Sequence, residues 1–121
     1  MKPADLSGGM RKRVSLARSI ALRPEVVLYD EPTTGLDPIN TARVNHLITR
    51  MKNQLNITSV VVTHDMKSAF AVSDHVAMVY GGGIIFQGSV EELQTCDDRR
   101  VRDFIEGYAP VEEDVETLLS L

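Results

Sequence analysis

Two carboxylates stand side by side in this sequence, Asp30 and Glu31, directly after the apolar run Val26-Val27-Leu28-Tyr29. A carboxylate is a hard oxygen ligand that suits Mg²⁺, usually through the ion's waters, and its neighbour can take a proton from an attacking water. Phosphoryl transfer uses both, because its catalysis is mostly positioning and charge stabilisation. By itself the segment reads equally as a strand that ends in a solvated acidic turn. A second candidate is Leu6-Ser7-Gly8-Gly9-Met10. Glycines at a helix start expose backbone N–H groups, the helix dipole favours an anion there, and the Ser7 hydroxyl adds a donor. Alone, it reads as an ordinary capped helix with a flexible lead-in. The third is His64, after a β-branched run. A neutral imidazole donates to a phosphate oxygen or orients a water; alone, it reads as a strand-end histidine satisfied by backbone. His46 and His75 have no such setting and read as structural. Gly35-Leu36-Asp37-Pro38 reads as a turn entering a helix with proline near its start.

The elements that must position these residues follow from periodicity and punctuation. A helix is predicted from Met10 to about Leu22, with Val14, Ala17, Ile20 and Ala21 on one face, stopped by Arg23-Pro24. Val26–Tyr29 reads as a buried parallel strand. Pro32 to Pro38 is a loop hinged at Gly35. Ile39 to about Leu55 is a helix with Val44, Leu47, Ile48, Met51 and Leu55 on its apolar side. Thr58–Thr63 is a second strand, Met66–Val72 a short helix, and Val76–Tyr80 a third strand. Gly81-Gly82-Gly83 turns into Ile84-Ile85-Phe86 as a hairpin. Ser89 with Glu92 forms a capping box, and a last helix covers Arg99 to Ile105. Alternating strands and helices argue for an α/β fold with a parallel sheet, in which ligands bind outside the carboxyl ends of the strands. Asp30-Glu31 and His64-Asp65 end two such strands and are expected to lie near each other.

Bulk numbers bound the reading. With 121 residues, 43% hydrophobic and 25% charged, the chain matches a small globular domain or part of one. Its net charge of −4 is unevenly spread: Lys2, Arg11, Lys12, Arg13, Arg18 and Arg23 open the chain, and Glu112, Glu113, Asp114 and Glu116 mark an acidic end. Basic start and acidic end suit each other or different partners. The single cysteine, Cys96, excludes an internal disulfide. No apolar run approaches the roughly 20 residues of a membrane span, and no secretory signal is visible. The expectation is a cytoplasmic chain with no direct membrane insertion. A pI near 5.3 and a basic triplet without aromatic interleaving argue against a nucleic-acid partner.

In their order and spacing the motifs resemble the ATP-binding cassette (ABC) ATPase family over about Leu6 to Gly88. The run is Leu-Ser-Gly-Gly, a helix, four apolar residues, Asp-Glu-Pro-Thr, Gly-Leu-Asp-Pro, a β-branched strand, then Thr-His-Asp. The resemblance implies a partial P-loop NTPase-type sheet with helices on both faces, lacking the N-terminal P-loop strand, followed by a C-terminal β-hairpin and helices. Residues 1–108 are then the C-terminal part of the cassette domain and 109–121 an acidic tail. It implies nucleotide contacts from Ser7, Gly8 and Gly9 (the signature motif), a Mg²⁺ role for Asp30, a catalytic carboxylate at Glu31, dimer-interface coupling at Asp37 and a γ-phosphate switch at His64. It implies ATP and Mg²⁺ as cofactors, a second ATPase subunit in a head-to-tail dimer, transmembrane permease subunits, and a place at the inner face of the cytoplasmic membrane.

Two departures qualify it. Met10 stands where the family usually has Gln, and Gly8-Gly9-Met10 followed by Arg11-Lys12-Arg13 resembles the bacterial lipid-trafficking branch. That triplet otherwise reads as a solvated helix face. The phosphate-cradling loop, G-x-x-x-x-G-K-[ST], is absent. The chain is therefore expected to begin in mid-domain and, alone, to be marginally stable and unable to hydrolyse ATP. It is an ATPase subunit coupled to transport, a signature-motif donor to another cassette, or a non-functional truncated remnant.

Overall fold

A computed structural model describes residues 8–107 and Leu119. The chain divides into two compact units, Met1–Ser73 and Asp74–Leu121. Ser7 and, apart from Leu119, the acidic tail at 109–121 lie outside the described residues.

The first unit runs α1 (Gly8–Ile20), β1 (Val26–Asp30), α2 (Pro38–Leu55), β2 (Thr58–Val62) and α3 (Met66–Val72). β1 and β2 pair in parallel, with Val26 opposite Thr58 and Asp30 opposite Val62. α2 starts where Asp37 caps it by accepting from the Asn40 N–H, with Pro38 in the first turn, and ends at Asn56 in the left-handed conformation. The core gathers Leu16 of α1, Val27 and Tyr29 of β1, Val44, Ile48 and Met51 of α2, Ile57 and Val72.

This core lies on one face of the two-stranded sheet. Residues alternate along a strand, so Val27 and Tyr29 point into it while Val26 and Leu28 stay exposed, as do Val60 and Val62 of β2. The expectation that β1 is buried throughout is corrected here: it is buried on one face only, and among the described residues the other face is uncovered.

α1 also differs from its expected face. Leu16 is buried, Gly9 with it, and Ile20 packs against the core, while Val14 and Ala17 are exposed. Both faces carry apolar residues at helical spacing, so periodicity alone could not choose. The close approach of α2 decides: a Cβ on Gly9 would come 2.5 Å from Asn40 Oδ1. α2 was the more legible element, with Val44, Ile48 and Met51 buried and only Leu55 turned outward.

The second unit runs β3 (Val76–Tyr80), β4 (Gly83–Gly88), α4 (Val90–Gln94) and α5 (Arg99–Glu106). β3 pairs with β4 antiparallel in a sheet of its own, the hairpin that the glycine turn predicts. The two-residue turn Gly81-Gly82, both at positive φ, makes the local hairpin. α4 opens on the expected Ser89–Glu92 capping box. α5 is capped by Asp98, whose carboxyl the Arg100 guanidinium holds down at about 2.

Candidate active site

The carboxyl ends of β1 and β2 meet as the alternation of elements predicts. Glu31 is the first residue past β1, and its N–H donates to the Val62 carbonyl at 2.7 Å, extending the parallel ladder by one bond. Its φ of 48° turns the chain sharply there. Across the strand gap, His64 Nδ1 donates to Glu31 Oε1 at 2.9 Å. Thr34 Oγ1 donates to Glu31 Oε2 at 3.0 Å, so both carboxylate oxygens are engaged. Lys12 of α1 donates to the Glu31 carbonyl at 3.3 Å.

The electrostatics follow from these contacts. The His64 hydrogen bond, more than any other influence, holds the Glu31 carboxyl below its ordinary value. The same bond, reinforced by the carboxylate's charge, raises the His64 imidazole. Both shifts favour the charged pair. The side chains keep 34% (Glu31) and 72% (His64) of their surface in solvent, so the pair faces outward, where a ligand can reach it.

The remaining expected residues fall in two places. Asp30 closes β1 next to Glu31, exposed and without an ion-pair or hydrogen-bond partner among the described residues. No cluster of three His, Cys, Asp or Glu fit for a metal occurs among the described residues. Asp30 is thus a single hard-oxygen donor, which fits a Mg²⁺ ion that keeps waters and is carried on phosphates. Asp37, Gly8 and Gly9 gather instead where α1 and α2 begin. A Cβ on Gly8 would meet Leu36 at 3.5 Å, and Gly9 faces Asn40, whose Nδ2 donates to Asp37 Oδ2 at 3.1 Å. Lys12 bridges the two places, since α1 carries it from Gly9 to the Glu31 turn.

Comparison with known proteins bears on this arrangement. Residues 1–34 match the family model for the ABC transporter. The chain is 40% identical over 107 residues to the intermembrane phospholipid transport system ATP-binding protein MlaF of Haemophilus influenzae, covering 88% of this chain and 40% of that protein. It is 41% identical over 105 residues to the probable ribonucleotide transport ATP-binding protein mkl of Mycobacterium leprae, covering 87% of this chain and 30% of that protein. Among solved structures, the ATP-binding cassette MJ0796, a dimer bound to ADP and Pi, superposes with a TM-score of 0.63 at 31% identity, over 74% of this chain and 38% of that one.

The chain belongs to the ABC ATPase family.

This ABC ATPase chain spans about 40% of the length of the MlaF proteins it matches. A nucleotide-free cassette from an ABC transporter, 24% identical, shares the fold with a TM-score of 0.76 over 86% of this chain and 42% of that one. Sequence reasoning missed three partners of the site. Lys12 belongs to the triplet read as solvated, yet it reaches the Glu31 carbonyl. Thr34 was visible as a hydroxyl three residues after Glu31, a spacing at which local side-chain bonds form. Ser68, buried in α3, left no signal beyond its local bond to Asp65, because its other partners, Asn45 and Thr33, come from distant segments.

Proposed function

We propose that this chain carries the water-activating carboxylate and switch histidine of an ATP-binding subunit that couples ATP hydrolysis to transmembrane transport of phospholipids. The observation that carries the reading is the Glu31–His64 contact at 2.9 Å, one residue from Asp30, at the carboxyl ends of adjacent parallel strands. When bound, Mg-ATP supplies the γ-phosphoryl group and a cation that neutralises its charge. Asp30 holds that cation through its waters. Glu31 orients the attacking water and accepts its proton. Pairing with Glu31 favours the imidazolium of His64, which leaves Nε2–H to donate to a phosphate oxygen. Ser7, Gly8 and Gly9 close on the ATP held by a second cassette in a head-to-tail pair, and Asp37 couples across that interface. A permease subunit keeps the assembly at the inner face of the membrane. The phospholipid substrate rests on the MlaF relatives and on the Gly8-Gly9-Met10 variant followed by Arg11-Lys12-Arg13.

The test is Glu31→Gln in a polypeptide that also carries a phosphate-cradling loop. Hydrolysis is expected to fall about 10²-fold or more, with ATP retained in a binding assay. Unchanged turnover rejects the role given to Glu31. A second reading is that the chain lends only its signature motif to another cassette and binds no nucleotide itself. Equilibrium dialysis of Mg-ATP against the chain separates the two, since tight binding by the chain alone argues against pure donation.

A further inference from the structure

The Glu31–His64 pair is exposed on both sides, and an exposed pair does little to hold its own geometry. Beside it in sequence lies a polar cluster in which Ser68 and Thr33 are buried and Asp65 and Asn45 half-buried. Ser68, in the first turn of α3, is 1% exposed. Its hydroxyl donates to Asp65 Oδ2 at 3.0 Å and accepts from Asn45 Nδ2 of α2 at 2.9 Å. Thr33 Oγ1, also buried, lies 3.5 Å away. A serine hydroxyl has one proton and two lone pairs. With the proton on the Asp65 carboxylate, Asn45 fills one lone pair and Thr33 is left as the donor to the other. The Ser68 N–H donates to Asp65 Oδ1 at 3.2 Å, so the same aspartate caps α3.

The connectivity gives this cluster its interest. Thr33 is two residues past Glu31, and Asp65 is one past His64. Asn45 is on the helix that Asp37 caps. One hydroxyl therefore joins both turns that carry the reacting side chains to the helix between them. Helix capping needs only Asp65 and the Ser68 N–H, and neither Asn45 nor Thr33 takes part in it.

We propose that Ser68 is a positioning residue: its buried hydroxyl sets the distance between the turn that carries Glu31 and the turn that carries His64. The inference deepens the functional reading above and rests on it for the use of that distance. A buried hydroxyl with every valence taken is costly to disturb, so the two turns are held as one body and a ligand meets a preformed pair.

The experiment is ¹⁵N NMR of the His64 ring in the full 121-residue chain, with the Nδ1 resonance as the readout of the bond to Glu31. Glu31→Ala, which removes the acceptor, gives the position of the unpaired ring. Ser68→Ala is expected to move the resonance most of the way to that position, and Ser68→Thr to leave it near the wild-type value. If Ser68→Ala leaves Nδ1 at its wild-type position while Glu31→Ala shifts it, the positioning role is overturned and the reading of Glu31 and His64 stands. If Glu31→Ala itself produces no shift, there is no pair to position and both fall. Where Ser68→Ala does not fold, Ser68→Thr against Ser68→Val, alike in volume, reads the hydroxyl alone. Equal behaviour of those two, whether folded or not, means that the site demands volume rather than a hydroxyl, and overturns the proposal.

Discussion

Glu31 holds a left-handed backbone conformation, which costs a residue with a side chain roughly 1–2 kcal/mol. It persists because its N–H reaches the Val62 carbonyl and its carboxylate reaches both His64 and Thr34. Strain of this kind collects where chemistry needs a fixed group. The pair also has a pH window. His64 is raised above its ordinary 6.5, so its share of the pairing is complete below that value and is lost as pH rises through the folded-state value. Glu31 is lowered from 4.5, so its share is complete above that value and is lost as pH falls through the folded-state value. The pair is therefore strongest between the two ordinary values. In a proton NMR titration His64 is expected to titrate above 6.5, and Glu31→Gln to bring it back down toward 6.5. A titration unmoved by Glu31→Gln would show that the two side chains are not paired in solution.

At the scale of elements, the meeting of α1 and α2 rests on Gly9. A Cβ there would lie 2.5 Å from Asn40 Oδ1 and 3.0 Å from Asn40 Cβ, and Asn40 is not at liberty to swing, because its amide bonds Asp37. Alanine favours a helix over glycine by up to about 1 kcal/mol, whereas overpacking costs about 1–3 kcal/mol. Gly9→Ala is thus expected to destabilise the chain in urea unfolding. The loss should shrink after Asn40→Ala, with a coupling on the order of 1 kcal/mol; additive losses would sink the close-approach account. The same contact explains what the sequence concealed. Helix and strand existence, the proline-led start of α2, the Ser89 cap and the convergence of Glu31 with His64 are local or one-step consequences of patterning, and they were legible. The buried face of α1 was legible only at Ile20, because Val14-Ala17 and Leu16 compete on similar periodic terms and a glycine gives no hydrophobic signal. Ser68 was not legible, since Asn45 and Thr33 come to it from other elements. The β3–β4 hairpin was legible, because the Gly81-Gly82 turn is a local signal.

At the scale of the whole molecule, the uncovered face of the β1–β2 sheet dominates behaviour in solution. Leu28 is 76% exposed and Val62 57%, with Val26 and Val60 on the same side. Four β-branched or large apolar residues on a flat surface, with open hydrogen-bonding edges on both strands, are an invitation to pair with any other strand. The net charge of −4 gives only weak mutual repulsion between copies. The 121-residue chain is therefore expected to self-associate as its concentration rises, and Leu28→Thr with Val60→Thr to suppress this. Threonine keeps the β-branched preference for a strand, and neither position contributes to the core on the opposite face, so the fold should survive. Sedimentation velocity over a concentration series, with circular dichroism to check the fold, measures both. A variant that associates as strongly as the wild type while folded would place the adhesive surface elsewhere. A variant that stays monomeric would identify this face as the adhesive surface.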